Sequence, residues 1–147
     1  MSPRHWLLVT RPWNWQICES KAIFGMDDRY KTTLGRFVKP GDLAAVYVTG
    51  LGIVGVIEVT DVFLDQTDSV GWKRGVKEAT AVPELYPHRL KWKWSKKFDV
   101  PRKIDPRTNA LLDELEYFTD KSQSWYSFVY PTIARVPAED IQSILRW

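Results

Sequence analysis

The sequence predicts an α+β domain in which a small closed β-barrel packs against helices. Three observations lead to this prediction. The chain has 147 residues, which is the usual size of one domain. Two apolar, β-favouring runs, Leu43–Val48 and Ile53–Val62, flank the turn Thr49-Gly50 and indicate an antiparallel hairpin. The second run is apolar on both faces, so it must be covered on both sides.

The hairpin is the predicted structural core. It is preceded by Lys39-Pro40-Gly41-Asp42, in which proline and glycine suit the second and third positions of a type II turn. Alternation places Ile53, Ile57 and Val59 on one face, and Val54 and Val56 on the other. Gly52 and Gly55 leave room for a bulge or for the close approach of another backbone.

The remaining elements follow from local signals. Alternation of Leu90, Trp92 and Trp94 with lysines predicts a half-buried edge strand, although lysines between indoles would also suit a nucleic-acid backbone. A polar, irregular loop is expected over 65–83. The other predicted elements are a strand at Trp6–Thr10, a helix from Trp13 to Ser20 capped by Asn14, a helix beginning at Asp105-Pro106, and a last helix opened by Pro137-Ala138-Glu139-Asp140.

Positive charge is concentrated in one segment. The formal net charge is +3, yet residues 72–103 hold ten Lys and Arg against three acids, a local net of +7. A basic segment on an otherwise acidic chain indicates a surface for a polyanion, nucleic acid first. A solvated, mobile loop is the alternative on charge alone. The predicted backbone-contacting residues are Arg36, Lys91, Lys93, Lys96 and Lys97.

The sequence lacks the signals of membrane proteins, secreted proteins, metalloproteins and enzymes with a known catalytic motif. No apolar run is long enough for a membrane span, and the start of the chain has no signal-peptide pattern. The single cysteine, Cys18, excludes an intramolecular disulfide and fits a cytoplasmic setting. His5 and His88 have no partner at metal-ligand spacing, so neither a metal nor another cofactor is predicted. No catalytic set is identified, and Cys18 is interpreted as a small core residue.

Aromatic residues point to a binding site for a planar ring. The eight tryptophans are more than a core of this size needs, and each carries an N–H that requires a partner when buried. Aromatic rings beside basic side chains suit a base attached to a phosphate.

Short blocks along the chain, in their order and spacing, resemble one family. They are Trp13-Asn14-Trp15, Ile23-Phe24-Gly25, Thr33-Leu34 with Arg36, Val38-Lys39-Pro40-Gly41-Asp42, Val46-Tyr47-Val48, Ile53-Val54-Gly55-Val56 with Glu58-Val59, Tyr86-Pro87-His88-Arg89-Leu90-Lys91, Trp125 with Ser127, and Val136-Pro137-Ala138-Glu139-Asp140. With these blocks nearly the whole chain resembles the EVE domain, and within it the archaeal and bacterial proteins of the UPF0310 type.

The resemblance implies a PUA-like fold, a twisted mixed β-barrel with packed helices, related to the YTH domains. It also implies binding of RNA or DNA through a modified base held in an aromatic cage. Phe24 stands where relatives commonly have tryptophan, and residues 65–82 match no block of the family. The expected ligand pocket consists of Trp13, Asn14, Trp15, Phe24, Tyr86, Arg89, Trp125, Tyr126 and Ser127.

Two other functions stay open at this point. The related ASCH domains include amidohydrolases that act on modified nucleosides, and such an enzyme would need a lysine, a hydroxyl and a carboxylate together. Lys31, Thr32 and Glu58 are the candidates. Alternatively, the aromatic surface docks a protein partner.

Overall fold

The computed structural model describes residues 3–105, 111–119, 128–129 and 131–147. Its main feature is a six-stranded mixed sheet that curls into a half-barrel, with a few helices. The strands are β1 (His5–Thr10), β2 (Ile23–Met26), β3 (Leu43–Val48), β4 (Gly52–Leu64), β5 (Lys73–Arg74), β6 (Val82–Pro83), β7 (His88–Arg102) and β8 (Ile133–Arg135). The helices are α1 (Pro12–Lys21) and α2 (Ala138–Leu145). The predicted α+β class is confirmed.

The predicted hairpin, β3–β4, lies at the centre of the sheet, whose strand order is β2-β7-β4-β3-β1-β8. The turn before it forms as predicted: Gly41 has a φ of 95°, and the N–H of Asp42 donates to the carbonyl of Lys39. β1 then pairs with β3 in parallel, whereas β7 pairs antiparallel with β4. The other side of β7 pairs with β2, so the prediction of an edge strand there is wrong.

Burial of β4 on both faces is confirmed, and Ile57 and Val59 lie opposite Val56 as predicted, but the predicted faces of Ile53 and Val54 are wrong. Val54, Ile57 and Val59 belong to one buried cluster, and Ile53 and Val56 belong to the other. The pairing register shifts between Ile53 and Gly55, which is a β-bulge. Because one extra residue inverts the alternation beyond it, Ile53 lies on the opposite face from Ile57.

The two glycines of β4 allow other backbone to come close, as predicted. A Cβ on Gly52 would lie 2.4 Å from the carbonyl oxygen of Arg102, and one on Gly55 would lie 2.2 Å from that of Lys96. Gly52 also has a φ of 112°, which disfavours any side chain. The long strand β7 can therefore follow β4 closely around the curve of the sheet.

Helix α1 begins one residue earlier than predicted and is not capped by Asn14. Arg11 is at the N-cap position, Pro12 occupies the first helical turn, and Asn14 lies inside the helix. The amide of Asn14 bonds instead to the backbone of Lys73. Its polar group thus joins α1 to the segment that was predicted as an irregular loop.

That segment, 65–83, contains a small two-stranded sheet. β5 and β6 pair antiparallel, and the indole of Trp72, just before β5, is only 2% exposed. The loop prediction is therefore wrong for the part nearest to α1. One buried tryptophan and the bond to Asn14 hold this part against the main sheet.

The later part of the chain covers the other face of the sheet. Residues 111–114 form a 3-10 turn, and Leu112, Leu115 and Phe118 are buried. The expected helix start at Pro106 lies outside the described residues. The predicted last helix is confirmed as α2, and its buried Asp140 accepts hydrogen bonds from two backbone N–H groups near the 3-10 turn. Among the described residues, no helix is long and apolar enough to cross a membrane.

Candidate functional site

A cleft of about 620 Å³ opens between α1, the end of β2 and the β5–β6 segment. Its described lining combines aromatic rings with charged and small residues. The aromatic members are Phe24, Tyr30, Tyr47, Trp72 and Tyr86. Ligand sites for small molecules commonly have volumes of about 300–1,000 Å³. The cleft therefore has room for a planar ring with its substituents.

Asn14 holds one wall of the cleft in place. Its Nδ2 donates to the carbonyl oxygen of Lys73 at 2.7 Å, and its Oδ1 accepts from the N–H of Lys73 at 2.8 Å. The indole N–H of Trp13 donates to the same carbonyl oxygen at 3.2 Å. These bonds anchor the backbone of Lys73 to helix α1, although its side chain remains exposed.

Trp72 is one of the cleft residues that the sequence did not predict. Its ring packs closely against Gly25, since a Cβ there would be 2.2 Å from the ring edge. On another side it makes an edge contact with Tyr86, with ring centroids 6.0 Å apart. The signals available beforehand were an isolated tryptophan within a polar segment and a glycine inside a strand.

Arg89, predicted as a pocket residue, supports the loop instead of lining the cleft. It is 1% exposed, and its guanidinium donates to the carbonyl oxygens of Asp68, Leu85 and Tyr86. It also lies 3.4 Å from a carboxylate oxygen of Asp65 and 5.0 Å from the ring of Trp72. Such a buried, well-satisfied cation fixes the position of the segment that carries Trp72.

Tyr86 presents a ring to the cleft from an unusual backbone conformation. Its φ is 47°, in the left-handed region that non-glycine residues rarely adopt. Burial is the main cause that raises the pKa of its phenol, and the carboxylate of Glu84 adds to the effect. The ring is half-buried, so one part of it faces open space. Strained residues of this kind concentrate at functional sites.

Besides Arg89, the predicted pocket residues fall into three groups. Asn14, Phe24 and Tyr86 line the cleft. Trp13 holds the β5 backbone, whereas Trp15 is buried and stacks on Trp92, with centroids 5.8 Å apart and planes inclined by 14°. The prediction for Trp125, Tyr126 and Ser127 lies outside the described residues.

Cys18 belongs to the lining of the cleft and is buried. This residue is 2% exposed, in agreement with its interpretation as a core residue. Burial raises the pKa of its thiol to about 12, and the nearby indole N–H of Trp72 lowers it by less. That N–H meets no acceptor in good hydrogen-bond geometry in the part of the chain that the structure describes.

The predicted backbone-contacting lysines lie along β7 and interact with their surroundings. Lys97 pairs with Glu19 at 2.8 Å, and Lys93 lies 3.7 Å from Glu58. The ammonium of Lys96 donates to the carbonyl oxygen of Leu145 at the end of α2. Lys91 lies over the ring of Phe63 and Arg36 over that of Phe37.

The residues that an amidohydrolase would need do not meet in the cleft. Lys31 and Thr32 are exposed, and Glu58 lies on β4 beside Lys93. None of the three belongs to the described lining. The described residues also contain no group of three or more His, Cys, Asp or Glu side chains that could hold a metal ion.

A second, smaller cleft of about 400 Å³ lies beside the π-helical turn 33–37. Its lining is mainly aliphatic and includes Leu34, Val62 and Leu64, with Phe63 as its aromatic member among the described residues. It therefore lacks the several rings that line the first cleft.

Comparisons with known proteins agree with this architecture. No family model matches the chain. A UPF0310 protein of Pyrococcus horikoshii is 28% identical, over 95% of both chains. The chain is a relative of the UPF0310 proteins. The resemblance predicted from the sequence blocks is thereby confirmed.

Solved structures extend the similarity to the fold. A hypothetical protein from Leishmania major matches with a TM-score of 0.61 and 17% identity, over 99% of this chain and 94% of that one. The YTH domain-containing protein mmi1, in a complex with RNA, matches with a TM-score of 0.52 and 9% identity, over 98% and 78%. The similarity of fold to a YTH domain and the curled mixed barrel are thus confirmed for this chain.

Proposed function

We propose that this protein binds nucleic acid by taking one base into the cleft beside α1. In its finer form, the proposal is that this base is a modified one. The observation that carries the proposal is the lining itself, in which the ring of Tyr86 is half-exposed and backed by Trp72. A planar base gains free energy by stacking on such a face, whatever its sequence context.

The structural similarity to mmi1 supports the same function, because that protein was solved in a complex with RNA. A base can enter such a cleft only from a single strand or after it has been flipped out of a duplex. An extrahelical or unpaired base is therefore the proposed ligand. Trp125, Tyr126 and Ser127 remain proposed pocket residues on the basis of the family resemblance.

The proposal can be tested by removing the exposed ring of the cleft. We expect Tyr86→Ala to weaken the binding of a short single-stranded oligonucleotide by about 1–3 kcal/mol, the value of one lost stacking contact. Fluorescence anisotropy with a panel of oligonucleotides that carry unmodified and modified bases would measure the affinities. Phe63→Ala is the matched control, since Phe63 is a half-buried ring on the second cleft.

A folded Tyr86→Ala protein that binds as tightly as the wild type would contradict the assignment of the cleft. Equal losses in Tyr86→Ala and Phe63→Ala would do the same, because they would indicate a general loss of structure. Trp125→Ala extends the test: a stable variant with reduced affinity supports a pocket wall, whereas a stable variant with unchanged affinity opposes it.

A further inference from the structure

Positive charge surrounds the mouth of the cleft. Four cationic residues belong to the described lining, Arg11, Arg29, Lys73 and Arg74, together with one acid, Asp27. The guanidinium of Arg29 bonds to the carboxylate of Asp27 at 3.0 Å, so these two charges largely cancel. The carboxylate of Glu84 also acts on Tyr86, but the remaining three cations outnumber it and give the mouth a positive potential that attracts a polyanion.

Among the residues that the structure describes, these three cations leave hydrogen-bond donors unused. The side chains of Arg11, Lys73 and Arg74 form no hydrogen bond or ion pair with the residues that the structure describes. Lys73 and Arg74 are exposed, and Arg11 is partly exposed. A phosphate could therefore reach their donors without displacing another acceptor.

The backbone that carries two of these cations is fixed before any ligand arrives. Lys73 is held at both its N–H and its carbonyl by Asn14, and again by Trp13. β5 is also paired with β6. Fixing the backbone in advance reduces the ordering cost of binding, so cations on this strand are well placed to hold a strand of nucleic acid.

The lysines of β7 differ from them in this respect. Lys93 and Lys97 each lie beside a glutamate, and Lys96 already donates to a carbonyl oxygen. Exposed ion pairs are weak in themselves. However, the adjacent carboxylate reduces the potential that an approaching phosphate meets, so the local charge of this strand overstates its attraction for nucleic acid.

We infer that Arg11, Lys73 and Arg74 bind the phosphates on either side of the base in the cleft, and that they do so in preference to the lysines of β7. The inference rests on the proposed function, since it names the backbone contacts of that same site. The ligand class is a nucleic-acid strand that enters with a base in the cleft and its sugar–phosphate chain across the mouth.

The test compares two charge-matched double variants. Lys73→Gln with Arg74→Gln removes two cations at the mouth, and Lys93→Gln with Lys97→Gln removes two from β7. The slope of log K against log salt is negative, and we expect the first pair to reduce its magnitude by about 1.4, the value for two lost contacts on a single strand. The second pair should leave the slope within error of the wild type.

A free nucleoside has no phosphate, so its affinity measures binding of the base in the cleft alone. Nucleoside affinity should be the same in the wild type and in both double variants. Arg11→Gln is measured separately. It should reduce the magnitude of the slope of log K against log salt for the oligonucleotide by about 0.7. Thermal melting of each variant confirms that the substituted proteins are folded, as expected for changes at exposed side chains.

The experiment distinguishes failure of this inference from failure of the proposed function. If the oligonucleotide binds and only the Lys93/Lys97 pair changes the slope, the phosphate contacts lie on β7 and this inference is wrong, while the proposed function stands. The inference is equally wrong if neither pair changes the slope. If neither nucleoside nor oligonucleotide binds the wild-type protein, the proposed function fails, and the inference with it.

Discussion

Two groups of aromatic residues belong to or pack against the same buried cluster, yet they have different roles. The inner tryptophans, Trp15, Trp92 and Trp94, contact one another with centroids 5.0–5.8 Å apart. The cleft aromatics, Trp72 and Tyr86, contact each other and also border open space. The first group fills the barrel, whereas the second shapes a cavity.

Burial alone does not distinguish the two groups. Trp72 is 2% exposed and Trp92 is 4% exposed, yet the structure assigns only Trp72 to the cleft lining. Two neighbouring residues of α1, both buried, also have different surroundings, because successive helical residues point about 100° apart. Asn14 therefore reaches the cleft wall while Trp15 enters the core. A tryptophan acquires its role from what it packs against.

The largest expected effect tests the inner group. Trp92→Ala should lower the free energy of unfolding by about 3–5 kcal/mol, the range for truncating a large buried aromatic residue. Urea unfolding followed by circular dichroism would measure it. Below the unfolding transition the variant should bind an oligonucleotide as the wild type does. A loss below about 1 kcal/mol would contradict a core role for Trp92.

The next effect tests the contact between Gly25 and Trp72. Gly25→Ala would place a Cβ 2.2 Å from the ring of Trp72, so the indole must move. Overpacking of this kind costs about 1–3 kcal/mol, and the displaced ring should also weaken oligonucleotide binding. Melting and anisotropy on the same samples would show both changes.

Gly35→Ala is the matched control for that substitution. A Cβ on Gly35 would meet no atom within 4 Å, so both stability and binding should be nearly unchanged. If Gly25→Ala behaves like Gly35→Ala, Trp72 does not lie on Gly25 and the comparison between the two aromatic groups fails.

The smallest effect concerns Cys18, which belongs to the shared buried cluster and lies near Trp72. Its pKa is raised to about 12 from an ordinary value of 9.0, so the folded protein keeps the thiol proton after the unfolded chain has lost it. Stability from this group is therefore complete below about pH 9 and falls as the pH rises towards 12. By pH 10 the loss should be about 1 kcal/mol.

Urea unfolding at pH 7.5 and pH 10 would measure this loss in the wild type and in Cys18→Ala. The variant lacks the thiol, so its stability should fall less over the same interval. Parallel losses in the two proteins would indicate that solvent reaches the thiol and that the floor of the cleft is open.

Local chemistry made several elements predictable from the sequence. The turn at Pro40-Gly41, the hairpin after it and the start of the last helix depend on residues close together in the chain. The burial of β4 on both faces was also predictable, because its run of apolar residues leaves no polar face for solvent. The sequence likewise placed Asn14, Phe24 and Tyr86 among the candidate pocket residues, and all three line the cleft.

Only the tertiary structure decided which residues meet across long stretches of chain. The bulge beside Gly55 inverted the faces of β4, since one inserted residue changes every later position. Trp72 joined the cleft because its ring packs on Gly25, far away in sequence, and Arg89 became a support for the loop. Pairing of the β7 lysines with Glu19 and Glu58 likewise depends on strand and helix packing. Composition counts charges and rings, but distance determines which of them remain available to a ligand.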